Sequence, residues 1–156
     1  GAVRVDLQDF DGAIASLRRA ESTHDAQTTL AAARSLTEIY RGELLPGDIY
    51  EEWFAETRER AKHDFCDAMV VAARTAEVSG DPDEALTFLR RAGVADPWRE
   101  DIYQAMMRCQ MVSGQRSRAI ETYIACRGRL VEDLGIDPSA ETTRLYEAVL
   151  AMESDA

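Results

Sequence analysis

The sequence is poor in the residue types that metal sites, disulfide frameworks and membrane spans require. It has two histidines and three cysteines among 156 residues. Its longest uninterrupted apolar stretch is only a few residues, and no signal peptide is visible, so we expect no membrane-spanning segment. Cys66, Cys109 and Cys126 fall inside helical patterns without disulfide-like or zinc-like spacing. This predicts buried, reduced thiols in a cytoplasmic protein.

Lysine is almost absent, and basic charge is scarce throughout the chain. Lys62 is the single lysine, all other basic residues are arginine, and the formal net charge is -11. Each of the four segments 1–47, 48–79, 80–114 and 115–156 carries an excess of acid. A surface that binds phosphates needs clustered lysine and arginine, so we expect no direct nucleic-acid contact by this chain. The preference for arginine fits protein interfaces, but a high-GC genome would produce it equally well.

Groups suited to catalysis are equally scarce. His24 lies at a predicted helix break and His63 on a charged helix face, so neither has a nucleophile or metal-ligand set beside it. Gly80 and Gly114 stand alone and do not form a phosphate-binding glycine-rich loop. Acidic pairs fall in first helical turns, where the helix dipole accounts for them. We therefore expect no enzyme activity, no metal and no other cofactor.

The chain does contain an internal repeat. Segment 80–89 returns as segment 114–123, with every equivalent pair 34 positions apart. This is the period of the tetratricopeptide repeat, in which one pair of antiparallel helices stacks on the next. The glycine that begins each segment would end helix A in a left-handed conformation. Ala85 and Ala119 would let helix B approach closely, so we predict that both are buried between helices.

Apolar periodicity and capping residues predict an all-α fold, a tetratricopeptide-like right-handed stack of about seven antiparallel helices. The helices are predicted at 9–22, 25–40, 49–79, 82–92, 97–113, 116–134 and 138–152. Asp9 would cap the first, while Asp96-Pro97 and Asp137-Pro138 would open the fifth and the last. We interpret residues 1–156 as one domain. It comprises a degenerate helical pair at 9–40, a loop at 41–49 clamped on the helices, repeats at 50–134 and a capping helix at 138–152.

Several segments resemble one bacterial family. They are residues 40–46 (Tyr-Arg-Gly-Glu-Leu-Leu-Pro), Tyr50 with Trp53, the repeat that begins at Gly80, and residues 134–139 (Leu-Gly-Ile-Asp-Pro-Ser). Together they look like the bacterial transcriptional activator domain, which occurs in the Streptomyces antibiotic regulatory proteins and related multidomain regulators. The resemblance implies a helical module that follows a winged-helix DNA-binding domain and supports dimerisation and contacts with partners or RNA polymerase. No winged helix is present in this sequence, so we expect that domain to lie outside it.

If the function is binding, the phase of the repeat indicates where a partner would lie. The helix A positions that face the concave groove of tetratricopeptide arrays fall on Asp67, Val70, Arg74 and Glu77, and on Asp101, Gln104, Arg108 and Met111. Asp67, Arg74, Asp101, Gln104, Arg108 and Met111 are the candidate partner or ligand groove. Arg74 and Arg108 recur at one phase and would present two guanidinium groups to an acidic partner. Alternatively, both are solvated or paired to nearby acids.

Two functional hypotheses remain. The first is an interaction and oligomerisation module of a transcription activator, whose partner is a second copy, RNA polymerase or a neighbouring regulator domain. The second is a small-molecule sensor, in which the groove binds an effector and changes the curvature of the stack. Trp53 and Trp98 are interpreted as core residues rather than as partner contacts.

Overall fold

Seven α-helices form the part of the chain that the computed structural model describes, residues 2–40 and 51–154, with side chains at 7–40 and 55–154. The helices are α1 Ala2–Ser22, α2 Ala26–Ile39, α3 Glu51–Val78, α4 Pro82–Ala95, α5 Glu100–Val112, α6 Arg116–Arg129 and α7 Ala140–Leu150, with a π-helical segment Leu130–Leu134 after α6. No strand occurs in those ranges. The predicted all-α, tetratricopeptide-like class is confirmed, whereas the predicted clamped loop at 41–49 lies outside the described residues.

The chain divides into two compact units, residues 1–91 (unit 1) and residues 92–156 (unit 2). The boundary falls inside α4. In unit 1, α1 packs on α2 and α3, and α2 packs on α3; in unit 2, α5, α6 and α7 pack on one another. The interpretation of residues 1–156 as one domain stays a prediction.

The two repeat corners have the backbone geometry that the sequence predicts. Gly80 follows α3 with φ of 87°, and Gly114 follows α5 with φ of 70°. At each corner, the residue after the glycine donates its N–H to a carbonyl five positions earlier, at 2.9 Å after Gly80 and at 2.8 Å after Gly114. These bonds satisfy carbonyls that the end of a helix would otherwise leave without a donor. The left-handed glycine ends are confirmed.

The corner between α1 and α2 repeats this geometry without a glycine. His24 has φ of 56°, and the next residue, Asp25, donates its N–H to a carbonyl five positions earlier at 2.8 Å. Asp25 then caps α2 by accepting from the Thr28 N–H at 3.1 Å, as Asp81 accepts from the Glu84 N–H at 3.0 Å. The interpretation of α1 and α2 as a degenerate repeat unit rests on this shared corner.

Aromatic rings form the centre of unit 1. The Tyr40 ring stacks on the Phe65 ring at 4.3 Å between centroids and lies 6.0 Å from the ring of Phe10. Arg91 donates to the carbonyls of Thr37 and Tyr40 at 2.8 and 2.9 Å, so α4 is tied to the C-terminal end of α2. The apolar face of α3 is buried at Ala61, Phe65, Ala68, Met69, Ala72 and Ala76. Its Trp53 and Phe54 side chains lie outside the described residues.

The small repeat positions are buried in both units. Ala85 in unit 1 and Ala119 in unit 2 are both 0% exposed, which confirms the prediction that each lies between helices. Around Ala119, the core of unit 2 contains Met107 and Val149. Burying one side chain of the size of Met107 stabilises the folded state by about 1.5–3 kcal/mol.

Three predicted helix starts are wrong. The structure begins α1 at Ala2, so Asp9 lies inside the helix and does not cap it. Asp96-Pro97 belongs to a turn that precedes α5, because Asp96 accepts from the N–H of Trp98 and the helix begins only at Glu100. The last helix begins at Ala140 rather than at 138, and Ser139 is its cap, accepting from a backbone N–H of its first turn.

Helix ends agree better with the sequence. The helix after α5 does continue to 134, although its last five residues are π-helical. Gly135, with φ of 67°, follows its last residue, so the predicted end at 134 is confirmed. In contrast, α4 continues to Ala95, three residues beyond its predicted end at 92.

Candidate functional site

An open groove between α1 and α3 is the strongest candidate site in unit 1. Its volume is about 340 Å³. Its walls come from the end of α1, the α1–α2 corner, the first turn of α2 and one face of α3, and include Glu21, His24, Ala26, Val71, Arg74 and Val78. The α3 residues lie at helical spacings of three and four, which places them on one face of the helix. We refer to this depression as the α1–α3 groove.

Arg74, a predicted site residue, lies in this groove with its charge available. The side chain is exposed. Among the residues that the structure describes, no hydrogen bond or ion pair engages its guanidinium. Arginine offers five N–H donors in a fixed fork that matches a carboxylate. The groove therefore places one unengaged guanidinium beside apolar walls, an arrangement suited to an acidic group attached to an apolar body.

Asp67, the other predicted site residue of unit 1, lines a smaller adjoining depression of about 110 Å³. That depression shares Glu21 and Val71 with the α1–α3 groove. Asp67 Oδ2 lies 3.1 Å from His63 Nε2, a contact that becomes an ion pair when the histidine is protonated. The structure thus brings Asp67 and Arg74 to neighbouring parts of one helix surface.

The equivalent positions of unit 2 face α7. Gln104 is buried and donates from Nε2 to Thr142 Oγ1 at 2.9 Å. Arg108 donates to Glu141 Oε1 at 2.8 Å. Met111 is packed against the buried cluster that contains Val149 of α7. The last helix therefore occupies the surface on which the sequence predicted a partner or ligand.

Asp101, the remaining predicted position, is engaged by a neighbour on the same segment. Arg99 donates to both of its carboxylate oxygens, at 3.0 and 2.7 Å. This hydrogen bonding lowers the pKa of Asp101 from its usual value. The side chain is exposed but already holds a bidentate partner, so its charge is largely neutralised locally.

A partly buried polar network that the sequence did not predict fixes α7 on α5. Glu100 Oε1 accepts from Thr142 Oγ1 at 2.7 Å and from the Ser139 N–H at 2.8 Å. Thr142 is 0% exposed and also accepts from Gln104. Ser139 could have been recognised as the cap of α7, because serine three residues before Thr142 is a usual capping arrangement. Nothing in the sequence pairs either residue with Glu100.

The prediction that Trp98 is a core residue is wrong. Its side chain is 42% exposed, and its indole Nε1 donates to Asp133 Oδ2 at 2.9 Å. Pro97 lies in a turn rather than at the start of a helix, so the ring that follows it lies over the surface and is fixed by this hydrogen bond. The predicted role of Trp53 lies outside the described side chains.

Reactive groups are not assembled in the described part of the chain. Its histidines, cysteines, aspartates and glutamates form no group of three or more that could hold a metal ion. Cys66, Cys109 and Cys126 are buried, as predicted, and none of them forms a disulfide within the described part of the chain. Burial raises the pKa of the Cys126 thiol to about 12, which makes it a poor nucleophile. No helix among the described residues is long and apolar enough to cross a membrane.

Comparison with known proteins gives one family and several regulators. Residues 5–150 match the family described as the bacterial transcriptional activator domain. The chain is 28% identical over 148 residues to the transcriptional regulatory protein MoaR1 of Mycobacterium tuberculosis. The aligned region covers 93% of this chain and 47% of that protein. It is 31% identical over 72 residues to the regulatory protein AfsR of Streptomyces griseus, and this aligned region covers 46% of the chain and 7% of that protein. The chain thus spans less than half the length of either relative.

Proposed function

Since the chain belongs to the bacterial transcriptional activator domain family, we propose that it is a protein-interaction and oligomerisation module of a transcription regulator. The DNA-binding domain of that regulator would lie outside this chain. The excess of acid supports this division of roles, because no segment offers the basic cluster that phosphate binding requires. In this proposal the module catalyses no reaction, needs no cofactor and works in the cytoplasm.

The single observation that carries the proposal is the unengaged guanidinium of Arg74 in the α1–α3 groove. A carboxylate from a protein partner would make a bidentate pair with it. Val71 and Val78 would contact the apolar part of the partner residue that carries this carboxylate, or the neighbours of that residue in the partner. The proposed occupants of this groove are acidic segments of RNA polymerase or of a neighbouring regulator domain. A second copy of the chain is the third partner of the module.

The test compares two arginine substitutions in unit 1. Arg74→Glu reverses charge in the groove, while Arg90→Glu makes the same charge change at an exposed position of α4 outside the groove. Binding to purified RNA polymerase and to the other domains of the same regulator is measured by biolayer interferometry. We expect Arg74→Glu to weaken binding about tenfold or more, and Arg90→Glu to change it less than about twofold. Equal effects of the two substitutions, or no binding by the unsubstituted chain, would refute the groove as the partner site.

A second function is favoured by the size of the groove. A volume of about 340 Å³ falls within the range of small-molecule sites, which is roughly 300–1,000 Å³. An effector with a carboxylate or phosphate and an apolar body would fit the same residues. A thermal-shift screen with metabolites and nucleotides separates the two functions, because a ligand that binds only the folded form raises Tm. A rise with one ligand class that is lost in Arg74→Glu supports the sensor, whereas no rise with any class argues against it.

A further inference from the structure

The α1–α3 groove carries two charges of opposite sign. Glu21, near the end of α1, lines the groove together with Arg74 of α3, and both side chains are exposed. Over residues 7–40 and 55–154, where side chains are described, neither charged group has a hydrogen-bond or ion-pair partner. The two groups therefore do not pair with each other, and a ligand in the groove meets a carboxylate as well as a guanidinium.

The positions of the two charges along α3 indicate a compact ligand. Glu21 and Val71 both line the groove and the adjoining depression, so Glu21 lies beside α3 at about the level of Val71. Arg74 follows Val71 on the same helix face, after a rise of ~4.5 Å along the axis. A small ligand that reaches both groups needs its own charges close together. The ammonium and carboxylate groups of an α-amino acid are attached to one carbon and meet this requirement.

The groove also offers an apolar contact next to the charges. Val71 and Val78 lie on the same face of α3 as Arg74, and Val78 is 86% exposed. Thr75, on the same wall, donates its hydroxyl proton to the Val71 carbonyl at 3.1 Å, so it does not offer this proton to a ligand. An apolar side chain on the ligand would remove Val78 from water, which favours binding.

Glu21 narrows the class of ligand that the groove accepts. A phosphate ester carries about two negative charges, which the Glu21 carboxylate would repel although Arg74 attracts them. Asp67, in the adjoining depression, adds negative charge on the same side. An ammonium group beside Glu21 replaces this repulsion by a charge-assisted hydrogen bond. The groove therefore matches a zwitterion better than it matches an anion.

We propose that the α1–α3 groove binds a free α-amino acid with an apolar side chain. Glu21 accepts hydrogen bonds from the ammonium group of the ligand, and Arg74 donates a bidentate pair to its carboxylate. Val71 and Val78 contact its side chain. The inference rests on the proposed small-molecule sensor and names the chemical class of its effector.

Four probes test the three parts of this ligand. N-acetyl-L-leucine lacks the ammonium charge of L-leucine, L-leucinamide lacks its carboxylate, and glycine lacks its side chain. NMR titration of the isotope-labelled chain at about pH 7, where most histidine is neutral, measures each dissociation constant and shows which residues the probe contacts. We expect L-leucine to shift the resonances of the groove residues. Each of the other three probes should bind about tenfold or more weakly.

Two substitutions assign each charge of the ligand to its partner. Glu21→Gln should weaken L-leucine binding about tenfold and make L-leucine and N-acetyl-L-leucine bind about equally. Arg74→Gln should weaken it to a similar extent and make L-leucine and L-leucinamide bind about equally. Glu77→Gln and Arg90→Gln are the matched controls, because both residues are exposed and neither lines the groove. Each control should change the affinity less than about twofold.

This crossed pattern would not follow from a general loss of structure, and other results would overturn the inference. One is the absence of groove shifts with L-leucine up to about 10 mM. Another is N-acetyl-L-leucine binding as tightly as L-leucine, since the groove would then accept plain anions. Tighter binding of L-leucyl-L-leucine than of L-leucine would assign the groove to peptides instead of free amino acids.

Failure of this inference can be distinguished from failure of the proposed functions. If a nucleotide or phosphate raises Tm and no amino acid does, the sensor stands and the amino acid ligand is refuted. If Arg74→Glu weakens RNA polymerase binding and no amino acid binds, the protein-partner site stands and this inference fails. If L-leucine binds with the crossed pattern and Arg74→Glu leaves polymerase binding unchanged, this inference stands and the groove is not the polymerase site.

Discussion

Removing the Thr142 hydroxyl should destabilise unit 2 more than the loss of an ordinary surface hydrogen bond. Thr142 is 0% exposed. It donates to Glu100 Oε1 at 2.7 Å and accepts from Gln104 Nε2 at 2.9 Å. Thr142→Val removes both bonds while keeping the shape of the side chain. A hydrogen bond to a charged group contributes ~1.5–3 kcal/mol, and leaving the buried Gln104 amide without an acceptor costs ~1–3 kcal/mol.

The net loss should be about 2–5 kcal/mol, because the added methyl group of valine recovers roughly 0.8 kcal/mol of it. Urea denaturation followed by circular dichroism measures the free energy of unfolding. Thr143→Val is the control, since Thr143 is a half-buried neighbour on α7 whose hydroxyl donates to the local carbonyl of Ser139, at 3.0 Å. It should change the free energy of unfolding by less than about 0.5 kcal/mol.

A double-mutant cycle with Gln104→Leu tests the network itself. Replacing both Gln104 and Thr142 by apolar residues leaves no amide without a partner, so the double variant should lose less than the two single losses added together. Strictly additive losses, or a cost below about 0.5 kcal/mol for Thr142→Val, would refute the reasoning that this network holds α7 in place.

Three further outcomes are expected. Gly80→Ala should destabilise unit 1 by ~1–2 kcal/mol, because Gly80 has φ of 87° and alanine disfavours that conformation. Gly12→Ala, inside a helix, should stabilise unit 1 by ~0.5–1 kcal/mol. An added Cβ meets no atom within 4 Å at either site, so thermal unfolding shifts of the same sign for the two variants would contradict this reasoning. The Cys126 thiol, with a pKa of about 12, should not react with a thiol reagent at neutral pH until denaturant is added. Hydrogen bonding from Arg99 lowers the pKa of Asp101 below its usual 3.8. This contact therefore stabilises the folded state above pH 3.8, and the stabilisation is lost as the pH falls through the pKa that Asp101 has in the folded state. Asp101→Asn should therefore unfold with a weaker acid dependence, and an unchanged acid titration would argue against this ion pair.

The local corners of the fold could be predicted from the sequence because their causes are local. Gly80 and Gly114 supply the left-handed conformation that each corner needs, and Ala85 and Ala119 are small because helices meet there. Such features depend on a few neighbouring residues and on the repeat period. His24 adopts the same conformation without glycine, so its corner was recognisable only from the residues that follow it.

The errors come from choices between two locally acceptable conformations. An Asp-Pro pair can cap and open a helix, but it also suits a turn, and at Asp96-Pro97 the structure has the turn. Because this pair forms a turn, Trp98 is exposed, although the sequence analysis placed it in the core. The groove positions show a different limit. The repeat phase correctly predicts that Gln104 and Arg108 lie on one face of their helix. It does not predict that α7 lies on that face.

The π-helical segment Leu130–Leu134 bears on how the chain is aligned with its relatives. A π turn bonds i→i+5, so it holds one residue more than the α-helical turn that it replaces. Regulators that lack this residue would continue the same helix in ordinary α form. We therefore expect a single-residue gap in such alignments to fall within 130–134, and placing it after α7 instead would shift every position of α7 by one residue.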